Sequence, residues 1–302
     1  IKKAKKILDK SECVAIPTET VYGLAGNAYS NKACIKIFKL KKRPKNNPLI
    51  VHYHNRKSLK KDCILNNDFL KLYKKFCPGP ITFVLDLKKN SKISKFVTNN
   101  KKTLAVRFPK HLVTRNLLKR LNYPLAAPSA NLSSKVSAVN SNHVKEEFGK
   151  KIKFILDGGF SKIGLESTII SLVSKPKILR LGSIDMKKIS KVLKKEIKYS
   201  KIKKISVPGQ SKFHYSPGIP IRLNANKPFL DEAFILIKKR KDFDRNCFYL
   251  TKNQNLQEAG KKLYKTLRII KKLKFKKIAI EKIPNIRVGQ AINDRLKRAS
   301  KR

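Results

Sequence analysis

Short apolar runs alternate with helical patterns over roughly the first 200 residues. Residues 13–16 read as a strand that stops at Pro17. Ser30 is placed to cap a helix whose inner face is Ala33, Cys34, Ile37 and Phe38, the i, i+3, i+4 spacing of one helical stripe. Residues 49–53 predict the next strand, and Phe69, Leu72, Tyr73 and Phe76 mark one face of a second helix. Pro78-Gly79-Pro80 ends that helix, because neither proline has an N–H for the helical ladder. The pattern predicts further strands at 81–87, 103–108, 124–127, 154–156, 167–173 and 178–181, and helices near 111–121, 141–148 and 185–196. Strands so interleaved with helices imply a mixed α/β domain around a twisted sheet. From Tyr199 to about Pro220 the pattern dissolves into Lys, Ser, Pro and Gly, a linker by composition. Beyond it, strands at 233–237, 248–251 and 278–283 and helices over 255–273 and 288–299 predict a small α/β domain, with Ala259, Leu263, Leu267 and Ile270 on the inner face of the longer helix. The chain thus divides into 1–197, 198–220 and 221–302, without an internal repeat.

Composition changes this picture little. At 41% apolar residues, 302 residues can bury a sizeable core. No run of 18 apolar residues and no signal-peptide pattern is present, so a soluble cytoplasmic protein is the expectation. The chain opens on Ile1 rather than Met, which leaves room for residues upstream. Five scattered cysteines without a C-x-x-C pair predict packing roles in a reducing compartment. The net charge of +54 is conspicuous, and such a charge attracts polyanions. Yet the excess is mostly Lys, accompanied by Asn and Ile and spread along the whole chain, as A/T-rich coding bias would produce. Solvated surface lysines are therefore the plainer reading, and attraction of a polyanionic ligand the other.

Several common chemistries are excluded. The chain has no G-x-x-x-x-G-K-[ST] loop, no G-x-G-x-x-G after a strand, no G-x-S-x-G elbow and no H-E-x-x-H. His52 and His54 share one side of a predicted strand, a weak metal signal. What remains is a series of conformationally demanding segments at strand ends: 17–24 (PTETVYGL), 41–49 (KKRPKNNPL), 78–82 (PGPIT), 105–109 (AVRFP), 128–131 (PSAN) followed by Ser137, 164–170 (GLESTII) and 179–182 (LRLG). Arg107 is the one cation in its apolar strand, a place for a substrate carboxylate, and the Lys41–Arg43 cluster suits a triphosphate. Each segment alone also fits a turn, a loop or a surface cluster, and Glu19 and Arg107 could simply pair with each other.

In this order, the seven segments resemble the YrdC-like family of threonylcarbamoyl-adenylate synthases over about residues 1–197. Pro208-Gly209 with Phe213-His214-Tyr215-Ser216-Pro217-Gly218 resembles the connector of its two-domain members, and Leu263-Tyr264, Leu267-Arg268 and the 289–296 run resemble their C-terminal domain. The resemblance implies a YrdC-like twisted mixed sheet with a concave basic cleft, a linker lid, and a small Rossmann-like C-terminal domain. It implies that L-threonine, bicarbonate or CO2, and ATP give threonylcarbamoyl-AMP and pyrophosphate, with Mg2+ accompanying the nucleotide and no protein ligand assigned to it. A transferase complex would then modify the adenosine next to the anticodon of tRNA. Such a reaction needs no protein nucleophile; alignment and charge neutralisation would carry it, with orientation worth about 7–11 kcal/mol at best.

By the same resemblance, Thr20, His52, Arg107, Ala127 and Ser167 fall on the threonine side. Lys41, Arg43, Asn47, Thr103, Ser129, Asn131, Ser137, Arg180 and Tyr215 fall on the nucleotide side, with Lys41, Arg43, Ser129 and Asn131 as the characteristic catalytic set. The chain departs from the family in lacking a Gly near Ser134 and in reading Gln210-Ser211-Lys212-Phe213 in the connector. Asp294 and Arg295 read as a capped or salt-bridged helix start. The competing expectations are a double-stranded RNA or tRNA-binding protein of the same fold without chemistry, a relative with another acyl-transfer role, and a tail that docks a partner.

Overall fold

Nine strands form one mixed sheet before residue 200: β1 (Val14–Ile16), β2 (Gly23–Asn27), β3 (Ile50–His52), β4 (Ile81–Asp86), β5 (Thr103–Arg107), β6 (Leu125–Ala126), β7 (Thr168–Ser171), β8 (Lys177–Arg180) and β9 (Lys198–Tyr199). Their order across the sheet is β1-β2-β6-β3-β5-β4-β7-β8-β9, with parallel pairs at β3/β5, β4/β7 and β8/β9. Eight helices accompany them: α1 (Lys2–Asp9), α2 (Asn31–Lys41), α3 (Arg56–Leu59), α4 (Asn67–Phe76), α5 (Lys95–Thr98), α6 (Leu112–Lys119), α7 (Ser141–Phe148) and α8 (Met186–Leu193). A second, all-parallel sheet follows, built of β10 (Ile221–Leu223), β11 (Glu232–Lys238), β12 (Cys247–Thr251) and β13 (Lys277–Ile280) in the order β10-β13-β11-β12. Its helices are α9 (Leu256–Lys272) and α10 (Val288–Ala299). This computed structural model describes residues 1–200, 214–240 and 246–301.

Local chemistry explains the elements. Ser30 caps α2 by accepting from the Ala33 N–H at 3.2 Å, and Ala33, Cys34, Ile37 and Phe38 are buried. On α4, Phe69 is fully buried and meets Phe83 of β4 edge-on at 5.1 Å, while Tyr73 meets Phe108 edge-on at 4.8 Å. The main core joins this aromatic group to Val51, Leu85, Val106 and Ile170 of the sheet. A second core unites Val21, Val136, Val139 and Leu165 of the first unit with Leu263, Leu267, Ile292 and Leu296 of the second. The two units therefore share apolar surface.

The expectations need correction in places. The predicted strand at 154–156 makes only a single bridge, Ile155 to Ala15. The sequence pattern does not announce β2, because Gly23, Gly26 and Asn27 disfavour strands. A side chain at Gly26 would lie 3.2–3.3 Å from Ile37 and Ala33 of α2, so the glycine that hides the strand lets the helix pack close. α1 and the short β10 carry too few apolar positions to register as a pattern. His52 and His54 do not share a strand face: β3 ends at His52, and His54 lies beyond it against Asn55. Arg295 lies inside α10, not at its start. The connector residues Pro208, Gly209 and Gln210 to Phe213 lie outside the described residues.

The registers set up one face of the large sheet. His52 pairs with Arg107, Arg107 with Thr82, Thr82 with Ile169 and Ile169 with Arg180, a single row across β3, β5, β4, β7 and β8. Directly paired residues point to the same side, so two arginines and a histidine come level from segments far apart in sequence. Two residues further along the strands, Ile50, Ala105 and Val84 form an apolar row on that face.

Candidate active site

The polar row opens into a pocket lined by Thr18, Val21, Tyr22, Gly23, Arg43, Ile50, His52, Arg107, Ala127, Pro128, Ser129, Glu166, Arg180, His214 and Tyr215. Strand ends supply His52, Arg107 and Arg180. Loops after α2, β1 and β6 supply Arg43, Thr18, Val21 and Tyr22, and Ala127–Ser129, Gly23 opens β2, and the connector supplies His214 and Tyr215.

Each cation is held differently. Arg43 donates from Nε to the Asn47 carbonyl at 3.0 Å, and from Nη2 to Asn47 Oδ1 at 2.5 Å and the Pro48 carbonyl at 3.0 Å. Burial, with Arg180 nearby, pulls its guanidinium down to about 9. Arg107 pairs with buried Glu19 at 2.7 Å, the simple pairing that the sequence allowed, while its Nε has no hydrogen-bond partner. Glu19 also accepts from the Lys110 N–H, and despite burial Arg107 holds its carboxyl below the usual range. Arg180 donates from Nε to the Ser167 carbonyl and from Nη2 to Ser167 Oγ, both at 3.0 Å. His52 is 2% exposed with neither ring nitrogen hydrogen-bonded, and burial beside Arg107 keeps the ring neutral, well below the usual histidine range.

Other expected site residues stand behind the lining. Lys41 is buried and donates to the Ser129 and Asn131 carbonyls at 2.6 and 2.5 Å, so it fixes the backbone on which Ser129 is presented. Asn131 braces the same loop, donating to the Leu132 and Lys135 carbonyls. Thr20 is fully buried against Thr18 Oγ1, Ser167 Oγ meets Thr82 Oγ1 at 2.7 Å, and Ser137 Oγ donates to Glu166 at 2.6 Å. Thr103 lies outside the pocket: it shares the face with Arg107 but sits at the other end of β5, four residues or about 13 Å away.

The unforeseen member is Glu166. It lines the pocket and receives, besides Ser137, the Tyr264 hydroxyl at 2.9 Å and Arg295 Nε at 3.1 Å from the second unit. Burial opposes its ionisation, but Arg295 and Arg180 outweigh this and hold the carboxyl below its usual range. Its one sequence signal is an acid among small and apolar residues in a chain with only 19 acidic residues. Tyr215 is 1% exposed in the left-handed region at φ 66°, with its ring against His214 and Tyr264. Burial of His214 pulls its ring down to about 3, so it too is neutral.

Such a pocket can bind anions with guanidinium groups, and its lining includes no cysteine or lysine among the described residues. The nearby Cys77 thiol is pushed up to about 12 by burial, so no thiolate is available.

Comparison with known proteins agrees with this chemistry. Residues 6–182 match the Sua5–YciO–YrdC family, described as "Telomere recombination", and residues 184–301 match the C-terminal domain of threonylcarbamoyl-AMP synthase. The chain is 33% identical to the threonylcarbamoyl-AMP synthase of Pyrococcus abyssi, covering 99% of this chain and 94% of that protein. It is 34% identical to that of Bacillus subtilis, covering 99% and 92%. The structure superposes on P. abyssi Sua5 complexed with L-threonine with a TM-score of 0.91 at 31% identity, over 99% of this chain and 93% of that one. A doubly substituted form of the same P. abyssi protein, with one histidine and the adjacent tyrosine changed to alanine, gives a TM-score of 0.88 at 30% identity, over 99% and 92%. The chain belongs to the Sua5–YciO–YrdC family, in its two-domain threonylcarbamoyl-AMP synthase form.

Proposed function

We propose that the chain is an L-threonylcarbamoyladenylate synthase, a nucleotidyl-transferring enzyme, working at this pocket. The observation that carries the proposal is the convergence of Arg43, Arg107 and Arg180 with neutral His52 on one pocket. The threonine amine adds to CO2, releasing a proton, and the carbamate oxygen attacks the α-phosphorus of ATP. Pyrophosphate leaves and threonylcarbamoyl-AMP remains. Arg107, whose Nε is unsatisfied, takes the threonine carboxylate, and His52 lies beside it in the same row. Thr20, Ala127 and Ser167 shape that end, Ala127 as lining and the two hydroxyl residues from behind.

Arg43 and Arg180 face the phosphates with Ser129 and Tyr215. Lys41, Asn47, Asn131 and Ser137 fix the backbone and side chains around them. The apolar row Ile50, Val84 and Ala105 leads towards Thr103 and gives a nucleoside a surface on which to lie. Mg2+ enters with the phosphates of ATP. Glu166, the acid in the lining, is already taken by three donors, and no group of three metal-ligating side chains occurs among the described residues. A carbamate hydrolyses readily, and His214 and Tyr215, packed over the pocket, restrict water. The product would pass to a transferase complex acting on tRNA, in the cytoplasm; no helix among the described residues is long and apolar enough to cross a membrane.

The test is to incubate the protein with ATP, Mg2+, bicarbonate and L-threonine, then measure pyrophosphate and threonylcarbamoyl-AMP by mass spectrometry, with serine and no-amino-acid controls. Threonine-dependent product is expected, falling at least about 100-fold in Arg43→Ala and Arg107→Ala. A folded protein that binds neither ATP nor threonine refutes the reading, and salt-sensitive RNA binding indifferent to ATP replaces it.

A further inference from the structure

The same two side chains of the C-terminal unit hold two members of the pocket. Tyr264 of α9 and Arg295 of α10 both donate to Glu166, and both pack on Tyr215: the Tyr264 ring lies 5.9 Å away at 17°, and the Arg295 guanidinium sits 5.3 Å over the Tyr215 ring. Arg295 is completely buried and also meets Asp294 at 3.0 Å. Glu166 in turn holds Ser137, and it directly precedes Ser167, which anchors Arg180. No apolar replacement could make this arrangement, because Glu166 accepts from three separate segments.

The charge is the telling feature. A carboxylate in the lining of a pocket that receives a triphosphate repels its own substrate unless it is neutralised. Arg295, hydrogen-bonded to Glu166, supplies that neutralisation together with Arg180, and it does so from the second unit, residues 221–301, which contributes no side chain to the lining.

We propose that Glu166 is a positioning residue, neutralised and aimed by Arg295 and Tyr264, through which the C-terminal domain sets the nucleotide side of the pocket. The proposal rests on the synthase reading for the assignment of Ser137, Arg180 and Tyr215 to ATP. Removing Arg295 leaves Arg180 as the remaining cation acting on Glu166, so a poorly compensated negative charge faces the phosphates. Removing the Glu166 charge as well cancels that effect on ATP affinity while threonine KM stays put, whereas a merely structural tie moves the melting temperature and both substrates together.

The experiment compares Arg295→Met, Glu166→Gln, the double variant and Tyr264→Phe in the full chain. It measures ATP Kd by calorimetry, KM for ATP and threonine, and melting temperature. For Arg295→Met, ATP Kd and KM should rise about tenfold with threonine KM within about twofold, and the double variant should recover most of the loss. Tyr264→Phe keeps the ring and removes one donor, so ATP Kd should rise about threefold and still report should Arg295→Met not fold. The proposal is overturned if Arg295→Met lowers only the melting temperature, if the double variant binds ATP no better than Arg295→Met, or if Tyr264→Phe leaves ATP Kd unchanged. Product formation by the unmodified chain reports separately on the synthase reading, because ATP Kd needs no turnover.

Discussion

A methyl group at Gly182 has no space to occupy. It would stand 2.3 Å from the Thr168 nitrogen, 2.6 Å from the Ser167 carbonyl carbon and 2.7 Å from the Glu166 carbonyl oxygen, all of them backbone atoms. Gly182→Ala must therefore push the segment carrying Glu166 and Ser167 away from Arg180. The expected cost is about 1–3 kcal/mol in urea denaturation, with product formation reduced in parallel; a variant of unchanged stability sinks this account. Arg43 gives a second residue-scale prediction. Its fork satisfies three acceptors on Asn47 and Pro48, and an ammonium cannot span them while also facing the pocket. Arg43→Lys should lose at least about tenfold in kcat/KM although the charge is kept, and wild-type kcat/KM would show that charge alone matters. Arg107 and the Lys41–Arg43 cluster stood out in the sequence because a cation in an apolar strand or at a strand entrance suits an anion, whereas Arg180 came only with the family resemblance. Glu166 was not, because its partners Ser137, Tyr264 and Arg295 lie 29, 98 and 129 residues away and no local pattern encodes them.

Elements were legible where their own period declares them. Helices α2, α4 and α9 bury one stripe each and were readable, whereas β2 and β10 depend on pairing that their own residues do not announce: β2 sits between β1 and the distant β6, and β10 pairs with the distant β13. The row that aligns His52, Arg107 and Arg180 is likewise a product of register between strands, which single segments do not reveal. Helix α9 matters most for the site, since it carries Tyr264 and also Arg268, whose guanidinium reaches the Val136 carbonyl at 2.6 Å and Glu147 at 2.8 Å. Its start depends on Asn255, whose Oδ1 accepts from the Gln257 and Glu258 amides at 2.9 and 3.1 Å. Asn255→Ala should cost about 1 kcal/mol. Hydrogen exchange should show the loss in the first turn of α9 while the large sheet keeps its protection; unchanged exchange in that turn would mean that tertiary packing, not the cap, holds the helix end.

On the scale of the whole molecule, charge invites a simple explanation of acid sensitivity that the buried groups contradict. With a net charge of +54, any protonation adds to self-repulsion, and surface repulsion of that kind is screened by salt. The buried histidines act differently. His214 and His143 are pulled down to about 3 and about 4, and His52 also lies well below its ordinary value of 6.5, in each case first through burial. The unfolded chain therefore binds more protons than the folded one below about pH 6.5, and stability must fall as the pH drops from there towards the folded values. Glu19 and Glu166, both held below 4.5, act in the same direction: their contribution is complete above 4.5 and is lost as the pH falls through the lower folded values. Urea midpoints measured from about pH 7.5 to about pH 4.5 should decline steadily, and His143→Phe, on a helix outside the pocket, should flatten part of that decline. High salt separates the two causes, because ions screen exposed charges but do not hydrate a buried ring. A pH dependence that survives high salt belongs to the buried groups, whereas one that disappears would assign acid sensitivity to the lysine-rich surface and remove the histidines from the explanation.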